Sequence, residues 1–121
     1  MNEVEILIVR EPIMTKALTP LAQAWHRVLV KGVADIKRGV LALGGEWHMD
    51  ANNVLIADGS NQVDVWGFNI YTDRSGEEVI EYASLINIRP AQGNKGMILM
   101  DEMLQSEIRA IVCRLIPDLS V

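Results

Sequence analysis

The sequence predicts an α+β domain in which two helices cover one face of a mainly antiparallel sheet of five or six strands. Apolar residues recur at helical spacing near the beginning of the chain and again at its C-terminus. Between these stretches the apolar pattern has a period of two, and turn residues interrupt it at short intervals. This arrangement is typical of antiparallel strands joined by tight turns. We predict one domain over residues 1–121, because no linker or internal repeat divides the sequence.

The first predicted strand covers residues 4–9, an apolar run rich in β-branched side chains that ends before Pro12. The first helix follows this strand, and either Thr15 or the pair Thr19-Pro20 caps its beginning. Steps of four and three residues separate the apolar side chains of this helix, which predicts one buried stripe. The stripe consists of Met14, Leu18, Leu21, Trp25 and Val28.

Five further strands are predicted from the two-residue period. They cover residues 30–36, 39–48, 54–57, 63–71 and 79–89. Asn, Asp, Ser and Gly residues stand between these runs and favour tight turns, because their side chains bond the local backbone or accept a positive φ.

The C-terminal helix has Asp101 as its predicted cap and ends before Pro117. Its apolar face follows the helical period and consists of Leu104, Ile108, Ile111, Val112 and Leu115. Cys113 lies inside this helix, where no neighbouring base would activate it, so we interpret it as a structural thiol.

Composition excludes several classes of function. Lys and Arg number 11 against 16 Asp and Glu, so the formal net charge is −5, which disfavours a nucleic-acid partner that needs a clustered basic face. No apolar run approaches the roughly 20 residues of a membrane span, and the N-terminus lacks the pattern of a signal peptide. We therefore expect a cytoplasmic protein with no membrane partner. A single cysteine and two histidines cannot fill a structural zinc site without carboxylates.

Polar side chains gather on one face of the predicted sheet when each strand is divided by its two-residue period. These candidate ligand-binding residues are Asp35, Glu46, His48, Asn69, Asn87 and Arg89. A solvated strand face explains such a pattern equally well, because antiparallel sheets commonly leave one face to water.

The segment Glu46-Trp47-His48-Met49-Asp50 allows two functional interpretations beside the solvated face. Glu46, His48 and Asp50 supply three metal-ligand types along one predicted strand, and a divalent metal is the one cofactor that the sequence suggests. Alternatively, His48 acts as a general acid or base, with Glu46 or Asp35 orienting its imidazole.

Residues 89–94 form the second unusual segment. Arg89 ends the last predicted strand, and Gln92 and Asn94 follow in a loop that contains glycine. A guanidinium beside exposed backbone N–H groups suits a carboxylate or phosphate, so a small anionic ligand is one interpretation. The other is a structural arginine paired with a neighbouring acid.

Three segments carry a resemblance to a known family: residues 44–50, with the sequence GGEWHMD, residues 58–71, and residues 86–94. Together they resemble a family of short prokaryotic proteins that is classed only as a domain of unknown function. The likeness extends over residues 8–116. It implies relatives for this chain without implying an activity.

The leading functional hypothesis is a small cytoplasmic binding or regulatory module that takes a small anionic ligand or a partner through the polar face and residues 89–94. The alternatives are a metal-assisted or acid/base enzyme of hydrolase type centred on Glu46 and His48, and a homodimeric interaction protein without a ligand. We expect a homodimer, because an uncovered sheet face would expose several apolar residues. They are Val40, Ala42, Val63, Val65, Val79, Ala83 and Leu85.

Overall fold

The computed structural model describes residues 6–121 and contains one five-stranded antiparallel sheet. The strand order is β1-β3-β2-β4-β5, so β2 lies at the centre. The strands are β1 (Leu7–Val9), β2 (Leu29–Asp35), β3 (Val40–Leu43), β4 (Val65–Tyr71) and β5 (Ile80–Glu81). The part of the first predicted strand at residues 4 and 5 lies outside the described residues.

Three α-helices accompany the sheet: α1 (Leu18–Trp25), α2 (His48–Ala57) and α3 (Glu102–Leu115). The Asp101 side chain accepts hydrogen bonds from the N–H groups of Met103 and Leu104, which confirms the predicted cap of α3. Among residues 6–121, no helix has both the length and the apolar character that crossing a membrane requires.

The two predicted helices cover one face of the sheet, as expected. Leu18 and Ala22 of α1 and Ile108 and Val112 of α3 belong to the same core cluster. The strands add to this cluster the side chains Val9, Val30, Ala34, Leu41, Leu43, Trp66, Phe68 and Ile70. The predicted α+β class is therefore confirmed.

The opposite face is covered by α2, a helix that the sequence analysis did not predict. Ala51 and Leu55 of α2 pack against Val33, Ala42 and Val65 of the sheet. The strand predictions for residues 39–48 and 54–57 are wrong beyond Leu43, because both Gly44 and Gly45 adopt positive φ and end β3. Ala51 and Leu55 are four residues apart, which places both on the side of α2 that faces the sheet.

The last predicted strand, residues 79–89, is much shorter in the structure. Only Ile80–Glu81 pairs with β4, and Leu85–Asn87 forms a 3-10 turn. Between them the chain pairs with residues further along: the N–H of Ser84 donates to the carbonyl of Met97, and the N–H of Leu99 donates to the carbonyl of Tyr82. A partner distant in sequence thus replaces the expected continuation of the strand.

The predicted stripe of the first helix is also only partly correct. Leu18 is buried, whereas Met14, Trp25 and Val28 are exposed. Because α1 covers only Leu18–Trp25, Met14 precedes the helix and Val28 follows it. Thr15 does not cap α1. It lies in a preceding 3-10 turn, where its hydroxyl and N–H donate to the carboxylate of Asp118.

The second face of the sheet is covered in this fold, so the reason for expecting a dimer does not hold. Val40, Ala42 and Val65 are buried against α2, and Val79 is buried in the cluster that contains α1 and α3. Of the seven apolar residues, Val63 and Leu85 remain largely exposed. The homodimer stays a prediction without that support.

Candidate functional site

A cleft of about 650 Å³ opens on the α2 side of the sheet, beside the beginning of that helix. Apolar side chains form most of its wall: Leu29, Trp47, Met49, Leu85, Ile86 and Met97. Five polar side chains also line it, namely Lys31, His48, Asn69, Glu81 and Ser84. An apolar cleft with a few convergent polar groups is the usual form of a small-molecule site.

Three of these polar side chains form a row across the sheet. Lys31 of β2 is directly opposite Asn69 of β4, and Asn69 is directly opposite Glu81 of β5. Residues directly opposite in antiparallel strands project from the same face. The row therefore presents a cation, an amide and a carboxylate in that order, and we call it the charged row.

The centre of the charged row has an unused hydrogen-bond acceptor. Asn69 is only 6% exposed, and its Nδ2 donates to Oε1 of Glu81 at 2.9 Å and to the carbonyl of Ala83 at 3.2 Å. Both partners are acceptors, so they determine which end of the amide is nitrogen. Asn69 Oδ1 is buried beside the imidazole of His48, without solvent contact and without a hydrogen bond of normal geometry among the described residues.

His48 is the first residue of α2 and is 8% exposed. Its Nε2 donates to the carbonyl of Phe68 at 2.9 Å, which joins the helix to β4. Burial is the main cause that lowers the pKa of His48, and the charge of Lys31 adds to the effect, whereas the bond to Phe68 and the nearby Asn69 amide oppose it. The imidazole is therefore neutral at pH 7, with its proton on Nε2 and a lone pair on Nδ1.

The two charges at the ends of the row are held differently. The Lys31 ammonium lies 5.3 Å from the centroid of the Trp47 ring, a cation–π contact at the mouth of the cleft. The Glu81 carboxylate accepts from Tyr71 Oη at 2.9 Å as well as from Asn69. Neither charge belongs to an ion pair within residues 6–121.

Arg89 lies outside the cleft and supports the protein backbone. Its guanidinium donates to the carbonyls of Ile86 at 2.9 Å, Gln62 at 2.8 Å and Val65. It also stacks 4.1 Å above the centroid of the Trp66 ring, and burial lowers its pKa. The predicted pairing with an acid is wrong within residues 6–121, because carbonyl oxygens accept from the guanidinium, and Arg89 does not line the cleft.

Three more predicted site residues complete this support. Asn87 is fully buried, accepts from the N–H of Gly67 at 2.8 Å and donates back to its carbonyl at 3.0 Å. Asn94 donates to the carbonyls of residues 87, 96 and 98. Gln92 accepts from Arg89 and donates to the carbonyl of Val63. We call Asn87, Arg89, Gln92 and Asn94 the brace.

The predicted metal ligands are separated by the fold. Asp50 accepts from the N–H of Trp47 at 3.2 Å at the beginning of α2, and the imidazole of His48 is turned toward Phe68. Within residues 6–121, no three His, Cys, Asp or Glu side chains come close enough together to hold a metal ion. The strand that was to align Glu46, His48 and Asp50 is a loop and a helix, so they do not share one face.

Asp35 does not orient His48 either. Its carboxylate accepts from the N–H groups of Lys37 and Arg38 at 2.9 Å each, which stabilises the turn between β2 and β3. The main-chain carbonyl of Glu46 accepts from Nε2 of His26. Of the eight predicted ligand-binding residues, the structure places His48 and Asn69 in the cleft.

Residues 7–115 match the family described as "Protein of unknown function (DUF5674)". The chain belongs to the DUF5674 family. Searches of the curated proteins and of the solved structures return no match. The family region contains the complete charged row, the lining of the cleft and the whole brace.

The Asp58-Gly59-Ser60 segment of this DUF5674 domain is structural. Asp58 pairs with Arg10 and with Arg38 at 2.6 Å each, and these guanidinium groups hold the pKa of its carboxyl well below the usual range. Arg38 also donates to Oγ of Ser60 at 2.7 Å. The pairs tie the end of α2 to β1 and to the turn after β2.

Lys31 and Glu81 are the cleft residues that the sequence analysis did not select. Both are common surface residue types in strands, and neither carries a motif. The pairing register was the missing information, because residues 31, 69 and 81 become neighbours only when three strands are aligned.

Proposed function

We propose that this DUF5674 protein is a cytoplasmic small-molecule-binding module whose ligand occupies the cleft. The observation that carries the proposal is the charged row, which places the charges of Lys31 and Glu81 in the wall of an apolar cleft. Neither charge belongs to an ion pair within residues 6–121, so both can still contact a ligand. A ligand with polar groups on an apolar body fits both the row and the wall.

The composition of the cleft supports binding in preference to covalent catalysis. Most of the wall is apolar, and the polar groups converge along the charged row. The neutral imidazole of His48 has a basic Nδ1, but no hydrogen bond within residues 6–121 joins that atom to a hydroxyl or thiol it would activate.

The brace supports the same proposal by making the far wall rigid. Asn87 anchors the 3-10 turn Leu85–Asn87 to Gly67 of β4, and Leu85 and Ile86 of that turn line the cleft. A wall held by satisfied buried hydrogen bonds is preformed, so a ligand spends little free energy on ordering it. The brace therefore acts on binding through the shape of the cleft, without touching the ligand.

A fragment screen followed by amide chemical shifts tests the proposal. We expect fragments with one N–H or O–H donor on an apolar body to shift the amide signals of Lys31, Asn69 and Glu81. Ala83→Phe adds a ring to the cleft wall and is expected to weaken binding at least tenfold. Val63→Phe adds the same ring at an exposed position outside the cleft lining and serves as the matched control.

Two results would contradict cleft binding. One is that no fragment shifts the cleft amides while the protein remains folded. The other is that Ala83→Phe, with its fold intact by circular dichroism, binds fragments as tightly as Val63→Phe does.

Self-association is the second candidate, and a continuous apolar surface favours it. A second groove shares Ala83 and Met97 with the cleft and extends to Ile98 and Met100, which are 58% and 72% exposed. An exposed apolar patch of this kind commonly marks a contact with another protein. We expect sedimentation at micromolar concentration to show a dimer that Ile98→Glu converts to a 13.5 kDa monomer; a wild-type protein that is already a monomer would reject this candidate.

A further inference from the structure

We infer that the ligand of the cleft is a zwitterion, namely a free α-amino acid with an apolar side chain. This inference rests on the proposed function, because it concerns the same cleft. It begins from the order of charges in the row: the cation of Lys31, the unpartnered oxygen of Asn69 and the carboxylate of Glu81. A ligand with one charge of each sign satisfies both ends of this row.

The spacing of the row suits the backbone of an amino acid. Adjacent strands lie about 4.8 Å apart, so the Cα atoms of Lys31 and Glu81, two strands apart, are separated by about 10 Å. The carboxylate carbon and ammonium nitrogen of an α-amino acid are about 2.5 Å apart. With one charge-assisted contact of about 2.8 Å at each end, the assembly spans about 8 Å, which is close to the separation of the two strands.

The carboxylate of the ligand belongs at the Lys31 end. The ammonium of Lys31 lies at the mouth of the cleft, and Trp47, His48 and Met49 at the beginning of α2 line the same side. No acid within residues 6–121 pairs with Lys31, so its ammonium is free to bind the carboxylate of the ligand.

The ammonium of the ligand belongs at the other end of the row. Glu81 is held by Tyr71 and Asn69 through Oε1, which leaves Oε2 to accept from a cation. The bonds from Tyr71 and Asn69 hold the carboxylate of Glu81 in place, so its Oε2 is preorganised to accept from the ammonium of the ligand.

The apolar wall determines the kind of side chain. Leu29, Leu85, Ile86 and Met97 surround the row, and the volume of about 650 Å³ exceeds that of any one amino-acid side chain. Burial of a leucine, methionine or phenylalanine side chain against such a wall stabilises the complex, whereas a charged side chain would lose its hydration there.

Isothermal titration with paired probes tests the inference on the intact protein. The probes are L-leucine, L-methionine and L-phenylalanine, together with N-acetyl-L-phenylalanine, which keeps only the negative charge, and 2-phenylethylamine, which keeps only the positive one. We expect at least one free amino acid to bind tenfold or more tightly than either single-charge analogue. Lys31→Met and Glu81→Gln should each weaken that binding at least tenfold.

Two control variants separate the row from general surface charge. Lys37→Met and Glu78→Gln remove charges of the same sign at exposed positions outside the cleft lining, and they should bind the amino acid as the wild type does. The inference fails if the single-charge analogues bind as tightly as the amino acid, or if Lys31→Met and Glu81→Gln bind no worse than their controls.

The outcome also distinguishes this inference from the function on which it rests. If other fragments bind in the cleft and none of the amino-acid probes competes with them, the inferred amino-acid ligand is wrong. The proposed binding function then still holds. Failure of every fragment and every amino acid to shift the cleft amides overturns both.

Discussion

Two buried asparagines beside β4 show how differently the same side chain is used in the brace and in the cleft. Asn87 has partners at both ends of its amide: Oδ1 accepts from Gly67, and Nδ2 donates to the carbonyls of Gly67 and Met97. Asn69 has partners for Nδ2 only, and its Oδ1 is buried without one. The fully satisfied amide stabilises the fold through both of its ends, whereas the half-satisfied one orients the Glu81 carboxylate beside the cleft.

The cations of the two regions differ in the same way. Arg89 donates to three main-chain carbonyls and stacks on Trp66, so removing it would leave several acceptors without partners. Lys31 contacts the face of one aromatic ring at the mouth of the cleft. Polar residues that look alike in the sequence therefore fall into two kinds in the fold. Some bind the protein backbone, and others can still contact a ligand.

The largest expected effect is that of Arg89→Ala. The loss of the guanidinium strands the carbonyls of Ile86, Gln62 and Val65, so we expect the free energy of unfolding to fall by about 4 kcal/mol. Arg89→Lys should recover less than half of this loss, because an ammonium lacks the planar fork. Urea denaturation measures both, and Lys31→Met, expected within about 0.5 kcal/mol of wild type, is the control. If Arg89→Ala unfolds at the same urea concentration as the wild type, Arg89 does not stabilise the fold and the structural role of the brace is wrong.

The paired substitutions Asn87→Leu and Asn69→Leu test the comparison directly. Asn87→Leu leaves the N–H and carbonyl of buried Gly67 unsatisfied and should cost about 3 kcal/mol. Asn69→Leu removes the bonds to Glu81, which keeps Tyr71 as a donor, and to the carbonyl of Ala83, but it also removes an unsatisfied acceptor; its cost should stay near 1 kcal/mol, about 2 kcal/mol less than that of Asn87→Leu, while binding in the cleft is weakened. If chemical denaturation shows the same loss in the free energy of unfolding for both variants, the two amides contribute equally to stability and the comparison fails.

Gly67→Ala tests the contact between the brace and the cleft wall. A Cβ at this position would lie 2.6 Å from Cβ of Ser84, a residue that lines the cleft, and 2.8 Å from its Oγ. We expect a cost of about 2 kcal/mol from overpacking. Adding Ser84→Gly to Gly67→Ala should recover part of this cost, as measured by thermal unfolding. Losses that simply add would contradict the steric explanation.

The smallest expected effect is the pH dependence contributed by His48. Because burial lowers the pKa of His48, the unfolded chain binds its proton more readily than the folded chain does. The contribution to stability is therefore present above pH 6.5, the ordinary value, and is lost as the pH falls toward the lowered pKa. His48→Gln should unfold with a shallower dependence between pH 7 and 5, measured by urea midpoints. The carboxylates titrate in both proteins, so identical slopes would rule out this role of His48.

The polar site was predictable only in part, and individual residues show why. His48 and Asn69 stand out in the sequence as polar residues in apolar surroundings, and both lie in the cleft. Arg89, Gln92 and Asn94 stand out for the same reason, but carbonyls from residues 62–65 and 86–98 satisfy them. Residue type alone does not tell whether a hydrogen-bonding group finds its partner inside the protein.

The sequence by itself determined the elements whose signals are local. The α+β class, the core strands β2 and β4 and the capped helix α3 follow from apolar period, Asp101 and Pro117. Tertiary structure decided the rest: two glycines with positive φ end β3 and lead the chain into a loop and then α2, and strand register placed Lys31, Asn69 and Glu81 in one row. The physical reason is the range of each interaction. Periodicity and capping act over a few residues, whereas burial and hydrogen-bond satisfaction depend on groups that only the folded chain brings together.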